Sequence, residues 1–539
     1  MRKIIIFILI SIPFLCLAQT ETSNDFTYKV GKPYKVIDAS SKNYFSEGKE
    51  IMSVKIIGKK VVIQKFNSET LEQISFKEYK NMPSGYVLEH LSNFNDKYYL
   101  FYSLWDKPNG NEQLFYKEID FKKGEFVGND KLIIKVNKKI TGMPFGYISF
   151  WSVGVVDKFN FQYSNGDSKM VIQYRVKPEK RNDAKSYDII GMHVFDENMQ
   201  PEWNKEVKMP YTEKKMNNLD YSVDSEGNAY ILAMVYNDNT TDSKKRRKDD
   251  PNYHIELLKF KAKTAELIKI PISLKDKFIN GIWIYEKSDD YMLCAGLYNN
   301  GEDRGDADGI MLFKIDKEGK TYDVASYEIP LEIINQNISE RAQNKNKKKD
   351  KKGEAEFQNI DLRDLIVKED GSIILIGEQY YIKQHTTKSG NSYRTYYTYH
   401  YEDILITKIN PDGKLGWMKK LAKKQMGSNG RGGMSYEHIA TNNNHYLLFL
   451  DNVKNMDLEL NKRPAVHSDG KGGYLTAYKV NDEDGRVEKI SILDTRNVDG
   501  MGIKQFLTSR IVPVNKSNFA FEVYKGKKED ILIKVNFVE

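Results

Sequence analysis

Short apolar runs separated by turn residues dominate the chain. In Leu219–Tyr236 (LDYSVDSEGNAYILAMVY) a strand-like segment and a polar turn lead into a second, almost continuously apolar run, and Leu365–Tyr380 (LIVKEDGSIILIGEQY) repeats the arrangement. Looser copies lie at 91–104, 282–298, 439–450 and 510–524. Runs of this length bounded by Asp, Asn, Gly or Ser predict β-hairpins.

A second unit follows the first. Its clearest copy is Asp403–Leu421 (DILITKINPDGKLGWMKKL), a strand, an Asp412-Gly413 turn and a strand leaving through Trp417. Related copies occur at 60–79, 114–134, 189–208, 255–272, 309–329 and 475–493. Two hairpins in succession make a four-stranded meander, and the pair returns about every 60 to 80 residues, the repeat of a propeller blade. The expected fold is therefore all-β: one large β-propeller of about eight four-stranded blades, the first abbreviated, with seven as the alternative count. The last repeat stops after three strands (507–514, 518–524, 530–537), while 26–38 (FTYKVGKPYKVID) has no repeat of its own. Pairing that segment into the last blade would close the ring and remove an exposed sheet edge.

Composition agrees with a β fold, since 35 Tyr and 25 Phe accompany many Val and Ile residues suited to a pleated, half-buried surface. At the start, Arg2 and Lys3 precede an apolar stretch from Ile4 to Leu15, and Cys16-Leu17-Ala18 ends in a small residue before Gln19. This order predicts a signal peptide, 1–18, cleaved after Ala18, with a periplasmic or secreted mature chain, 19–539, that has no transmembrane segment. Leu15 before Cys16 argues against lipidation. Of two cysteines only Cys294 then remains, in an apolar run that predicts a buried core thiol. Two basic insertions interrupt the repeat. The loop at 237–251 carries Lys244 to Lys248, and the loop at 335–356 carries Arg341, Lys345, Lys347, Lys348, Lys349, Lys351 and Lys352. With few apolar residues to offset ordering entropy, both are expected to be disordered.

The segment ITKINPDGKLGWMKKL, Ile406 to Leu421, resembles a unit common in exported propeller proteins of Bacteroidota, of uncharacterised function. The resemblance is specific from about Tyr401 to Asn455. It implies a propeller outside the inner membrane and brings no catalytic residues with it.

Enzyme signatures find little purchase. Asp412 to Trp417 has the spacing of an aspartate box but lacks its hydroxyl residues, having Asn410 and Gly416 instead, and such a box is itself a structural turn. There is no His-Glu-x-x-His, no paired-cysteine zinc site and no Gly-x-Ser-x-Gly elbow. His438 and His445 share a hairpin without any ligand spacing. Gly319-Lys320-Thr321 lacks the glycine of a phosphate loop, and Asp303, Asp306 and Asp308 form an acidic turn without the spacing of a calcium loop. The glycines around Arg431 fit a connection between blades. No metal and no cofactor is expected, and export excludes nucleic acid as the partner of the basic loops.

One insertion differs from the rest. Tyr380–Tyr401 (YYIKQHTTKSGNSYRTYYTYHY) is dense in aromatics. Tyr380, Tyr381, Tyr393, Arg394, Tyr396, Tyr397, Tyr399 and His400 are the candidate ligand-binding residues, because tyrosine joins broad apolar faces to a polar tip. The competing reading is a long hairpin whose tyrosines pack on a neighbouring blade. The expectation is a monomeric binding or scaffold protein that takes a protein or glycan ligand, in the cell envelope or outside, through loops on one face. A glycoside-processing enzyme with dispersed carboxylates, or a subunit of an envelope assembly without a small ligand, is the alternative.

Overall fold

In a computed structural model, the protein is described over residues 25–142, 158–179, 182–240, 251–272, 274, 277–288, 290–301, 305–389, 392–428 and 433–538. The signal peptide, the core of the first basic insertion (241–250), Asp303 and Arg431 lie outside the described residues.

Eight antiparallel meanders follow one another among the described residues. Blades 1 to 7 occupy 41–79, 87–136, 160–212, 216–272, 278–328, 360–421 and 437–494, and blade 8 joins 511–537 to 26–30. The first blade is complete rather than abbreviated: Ser41–Glu47, a strand of mostly polar sequence, and the buried Glu50–Ile57 supply its first two strands.

The burial pattern explains why the second strand of each repeat is apolar throughout. Ala229–Tyr236 is buried at every position. Ala229, Ile231, Ala233 and Val235 pack against blade 3, while Tyr230, Leu232, Met234 and Tyr236 pack against blade 5. Alternate side chains of one strand thus serve two different interfaces. Eight such apolar clusters occur among the described residues, and each bridges one pair of adjacent blades from 1–2 round to 8–1. The core is a ring of eight wedges, and the chain is a β-propeller. Strands on the inner side, such as Asn160–Tyr163, are half-buried throughout, whereas outer strands such as Gln73–Tyr79 alternate between exposed and half-buried.

The ring closes as expected. Phe26–Val30 pairs antiparallel with Glu529–Phe537, from Phe26 opposite Phe537 to Val30 opposite Ile533, and Tyr34–Lys35 continues the pairing. Phe26 is buried against Tyr446 of blade 7, and Val538 N donates to Asp25 O at 2.8 Å. Trp417 also finds its role here, donating from Nε1 to the Asp482 carbonyl of blade 7 at 3.0 Å. Trp203 does the same from blade 3 to Gly227 of blade 4 at 2.8 Å. The tryptophan of the repeat ties one blade to the turn of the next. Cys294 is fully buried.

The second basic insertion departs from its expected disorder. Residues 331–350 hold two helices, Leu331–Ile334 and Glu340–Asp350. Ser339 caps the longer one, Gln343 donates to the carbonyls of Asn335 and Ile338, and Asn346 reaches Asn335. Ile333 and Ile334 are buried and anchor the short helix, while Lys420 of blade 6 donates to the carbonyls of Ile334 and Gln336. Polar anchoring replaces the apolar face that the lysine-rich helix lacks.

Candidate binding site on blade 6

Blade 6 has the longest strands of the ring, Ile373–Ser389 and Ser392–Ile409. Only their inner parts belong to the four-stranded sheet. The inner neighbour ends its pairing at Ile360 opposite Gln379, and the outer neighbour reaches only Leu421 opposite Ile404. A bulge between Glu378 and Tyr380 marks the exit, after which the two strands pair with each other out to Ser389 opposite Ser392. Gln425–Gly427 braces the foot of this ribbon by pairing with Tyr399–Tyr401. Farther out, both edges of the ribbon are open among the described residues.

The register sorts the eight candidate residues onto two faces, because directly paired residues point the same way and neighbours along a strand point oppositely. Tyr380, Tyr393, Tyr397 and Tyr399 share one face, with Tyr401 opposite Tyr380 and Ile382 opposite Tyr399. Tyr381, Arg394, Tyr396 and His400 share the other, with His385 opposite Tyr396. They form two half-sets of four, not a single aromatic platform.

The two ends of the ribbon also differ. At the foot, Tyr399 and His400 are buried, Tyr381 stacks on His400 at 4.5 Å, and Tyr380 meets Tyr401 at 4.8 Å. Tyr381 donates its hydroxyl to Glu402 at 2.8 Å, so burial and that carboxylate push its phenol up. Burial, aided by Lys383, pulls His400 below the ordinary imidazole range. Toward the tip, Tyr393 is 69% exposed and Tyr396 44%, and His385 stacks on Tyr396 at 4.8 Å, while Ile382, 46% exposed, lies near the foot opposite Tyr399. At the foot the rings therefore pack against one another within the ribbon, and the tip supplies exposed aromatic surface.

Beside the foot lies a cavity of about 340 Å³, walled by helix Glu340–Asp350, by Glu402, Asp403, Lys420 and Lys424 of blade 6, and by Arg463. Sequence reasoning missed it, having set Lys345 and Lys349 in a disordered loop.

Carboxyl groups with raised pKa occur in separate places around the ring. Asp188 and Glu213 sit with Arg175, and burial raises both carboxyls. Asp361 and Asp364, raised by burial, sit with Arg363, while burial drives Glu437 up to about 7. Each group has one arginine, not the convergent set that recognition of a carboxylate sugar would use. His438 and His445 do meet, at 3.1 Å, and His445 contacts Asp482 at 3.0 Å. Asp482 is also bound by Lys368 and Lys408, and burial pulls His438 down to about 3, which marks this chain of groups as an inter-blade brace. No group of three potential metal ligands occurs among the described residues.

No protein-family model matches the chain, and no curated protein matches it. Some solved structures align with it along most of its length. The WD40 domain of SCAP from fission yeast aligns over 96% of this chain and 99% of its own, at 8% identity and a TM-score of 0.36. The β-propeller domain of the Trilobed protease from Pyrococcus furiosus aligns over 85% of this chain and 97% of its own, at 9% identity and a TM-score of 0.32. An uncharacterized protein from Listeria monocytogenes aligns over 81% and 94%, at 9% identity and a TM-score of 0.35. The eight-sheet topology, rather than these likenesses, establishes the fold.

Proposed function

We propose that this chain is an exported, non-catalytic propeller that recognises a protein or glycan partner through the ribbon of blade 6. The observation that carries this reading is the ribbon itself: two strands that outrun their sheet, braced at the foot by buried rings and carrying exposed Tyr393 and Tyr396 toward the tip. Rigid support under exposed tyrosine is the arrangement that makes recognition inexpensive in conformational entropy. The leader-like segment before Gln19 supports export, and the resemblance to exported propellers of Bacteroidota points the same way. The test is a glycan array together with a pull-down from envelope extract, using the mature chain and a Tyr393→Ala/Tyr396→Ala variant. A ligand bound by the first and lost by the second, at a cost of about 2 kcal/mol or more, supports the reading. A ligand bound equally by both, or none in either experiment, overturns it. Mass spectrometry of the secreted chain should give an N-terminus at Gln19.

A further inference from the structure

The cavity beneath helix Glu340–Asp350 has a charge balance that its own residues do not satisfy. Lys420 is paired with Asp403 at 3.1 Å, and Lys423 with the fully buried Glu378 at 2.8 Å. Those two cations are structural. Four more line the same space: Lys345 and Lys349 from one face of the helix, four residues apart, and Lys424 and Arg463 from the opposite wall. None of these four has an ion-pair partner among the described residues. The acids left over are Glu356, which accepts from Asn299 at 2.9 Å, and Glu402, which accepts from Tyr381 at 2.8 Å. The cavity therefore carries a surplus of two positive charges. Burial and the Arg463 charge both hold Lys424 below the usual lysine range, as expected for like charges crowded into one recess.

We propose that this cavity binds a doubly charged oxyanion, a phosphate or sulfate that is free or borne as an ester on a sugar, held between Lys345 and Lys349 on the helix, Lys424 just after blade 6 and Arg463 from the connection between two strands of blade 7. Arginine and lysine are matched to such a group by charge, and the arginine fork by geometry as well. A volume of about 340 Å³ admits the anion together with one attached ring. Binding would cancel the repulsion between the two walls and fasten the helix to the ring. The cavity takes its anion whether or not the ribbon holds a partner, so the tyrosine substitutions at the tip leave it unchanged and the two readings fail separately.

The experiment is isothermal titration of the mature chain with inorganic sulfate and inorganic phosphate, at constant ionic strength made up with chloride. Parallel titrations use a pyranose 6-sulfate and a pyranose 6-phosphate. Saturable binding is expected, weakened about tenfold or more in Lys424→Gln/Arg463→Gln and, independently, in Lys345→Gln/Lys349→Gln. On the helix Lys345 is exposed and Lys349 half-buried, so that variant tests the site even where the wall pair disturbs folding. Tighter binding of the esters than of the free ions assigns the site to a sugar ester, and equal binding assigns it to the free oxyanion; either supports the proposal. No saturable binding of any of the four probes, or binding unchanged in the helix pair, overturns it.

Discussion

Blades 8 and 6 are built from the same repeat and put it to opposite uses. Blade 8 borrows a strand from the far end of the chain and finishes the ring, while blade 6 lengthens two of its own strands and leaves the ring. Their junctions differ in the same sense. Between blades 8 and 1, Glu522 and Asp530 are fully buried against Lys42 and Lys55, so opposite charges meet. Between blades 6 and 7, Asp364 and Glu437 crowd two carboxyls together, and burial with that repulsion raises Glu437. One junction is built for cohesion. The other joins an opposite-charge brace at Asp482 to a local electrostatic tension at Glu437.

The contrast can be broken at its strongest point first. Deleting residues 25–38 removes the closing strand, exposes the edge of Glu529–Phe537 and uncovers part of the apolar cluster around Phe519 and Phe521. A loss on the order of 5–10 kcal/mol is expected from that burial, read as a melting transition lowered by several degrees and broadened. Unchanged melting would show that closure by this strand is not what holds the ring.

Next comes the buried charge lock. Lys55→Met strips the fully buried Glu522 of one of its two cations, at an expected cost of about 3–5 kcal/mol in denaturant unfolding. Burial alone would push the Glu522 carboxyl up, but Lys55 and Lys42 together pull it below the ordinary glutamate range. Its stabilisation is therefore present above the unfolded-state pKa and is lost as pH falls through the folded one.

The 6–7 junction has the opposite sign. Glu437 titrates near 7 in the folded chain, above its ordinary value of 4.5, so its contribution is full below 4.5 and is lost as pH rises through about 7. Glu437→Gln should stabilise the protein by roughly 2 kcal/mol at pH 8 and leave it unchanged at pH 4. Equal effects at both values would remove the proposed tension. The smallest effect belongs to the ribbon tip, where Tyr393→Ala/Tyr396→Ala should alter stability by no more than about 1 kcal/mol, since Tyr393 is mostly in solvent and Tyr396 is partly exposed beside His385.

Much of this was legible in the chain. The blades were readable because second strands are buried on both faces, so runs such as AYILAMVY carry no polar alternation to obscure them. Closure was readable from a last repeat one strand short. The strand Ser41–Glu47 was not, because SKNYFSE is half-buried at six positions and exposed at the seventh, and so lacks an apolar signature. The helix Glu340–Asp350 escaped for a related reason: its sequence has no apolar face, and the bonds that hold it go to Asn335 and Ile338, while the distant Lys420 fastens the segment just before it. The aromatic hairpin was visible as composition, but its division into two faces depends on the bulge at Glu378/Tyr380 and on cross-strand register, which composition does not encode. The cavity cations come from three separated segments, and only the fold brings them together.

The closing pair has a mechanical consequence. Phe26 lies opposite Phe537 and Asp25 is bonded to Val538, so the chain enters and leaves the ring at the same end of one antiparallel ladder. A force applied through the two ends would peel that ladder open one rung at a time, beginning at Phe26 and Phe537, instead of shearing all its bonds at once. Such a ring resists heat through eight apolar wedges yet yields to tension at a single seam, so a molecule tethered at both ends would open there first.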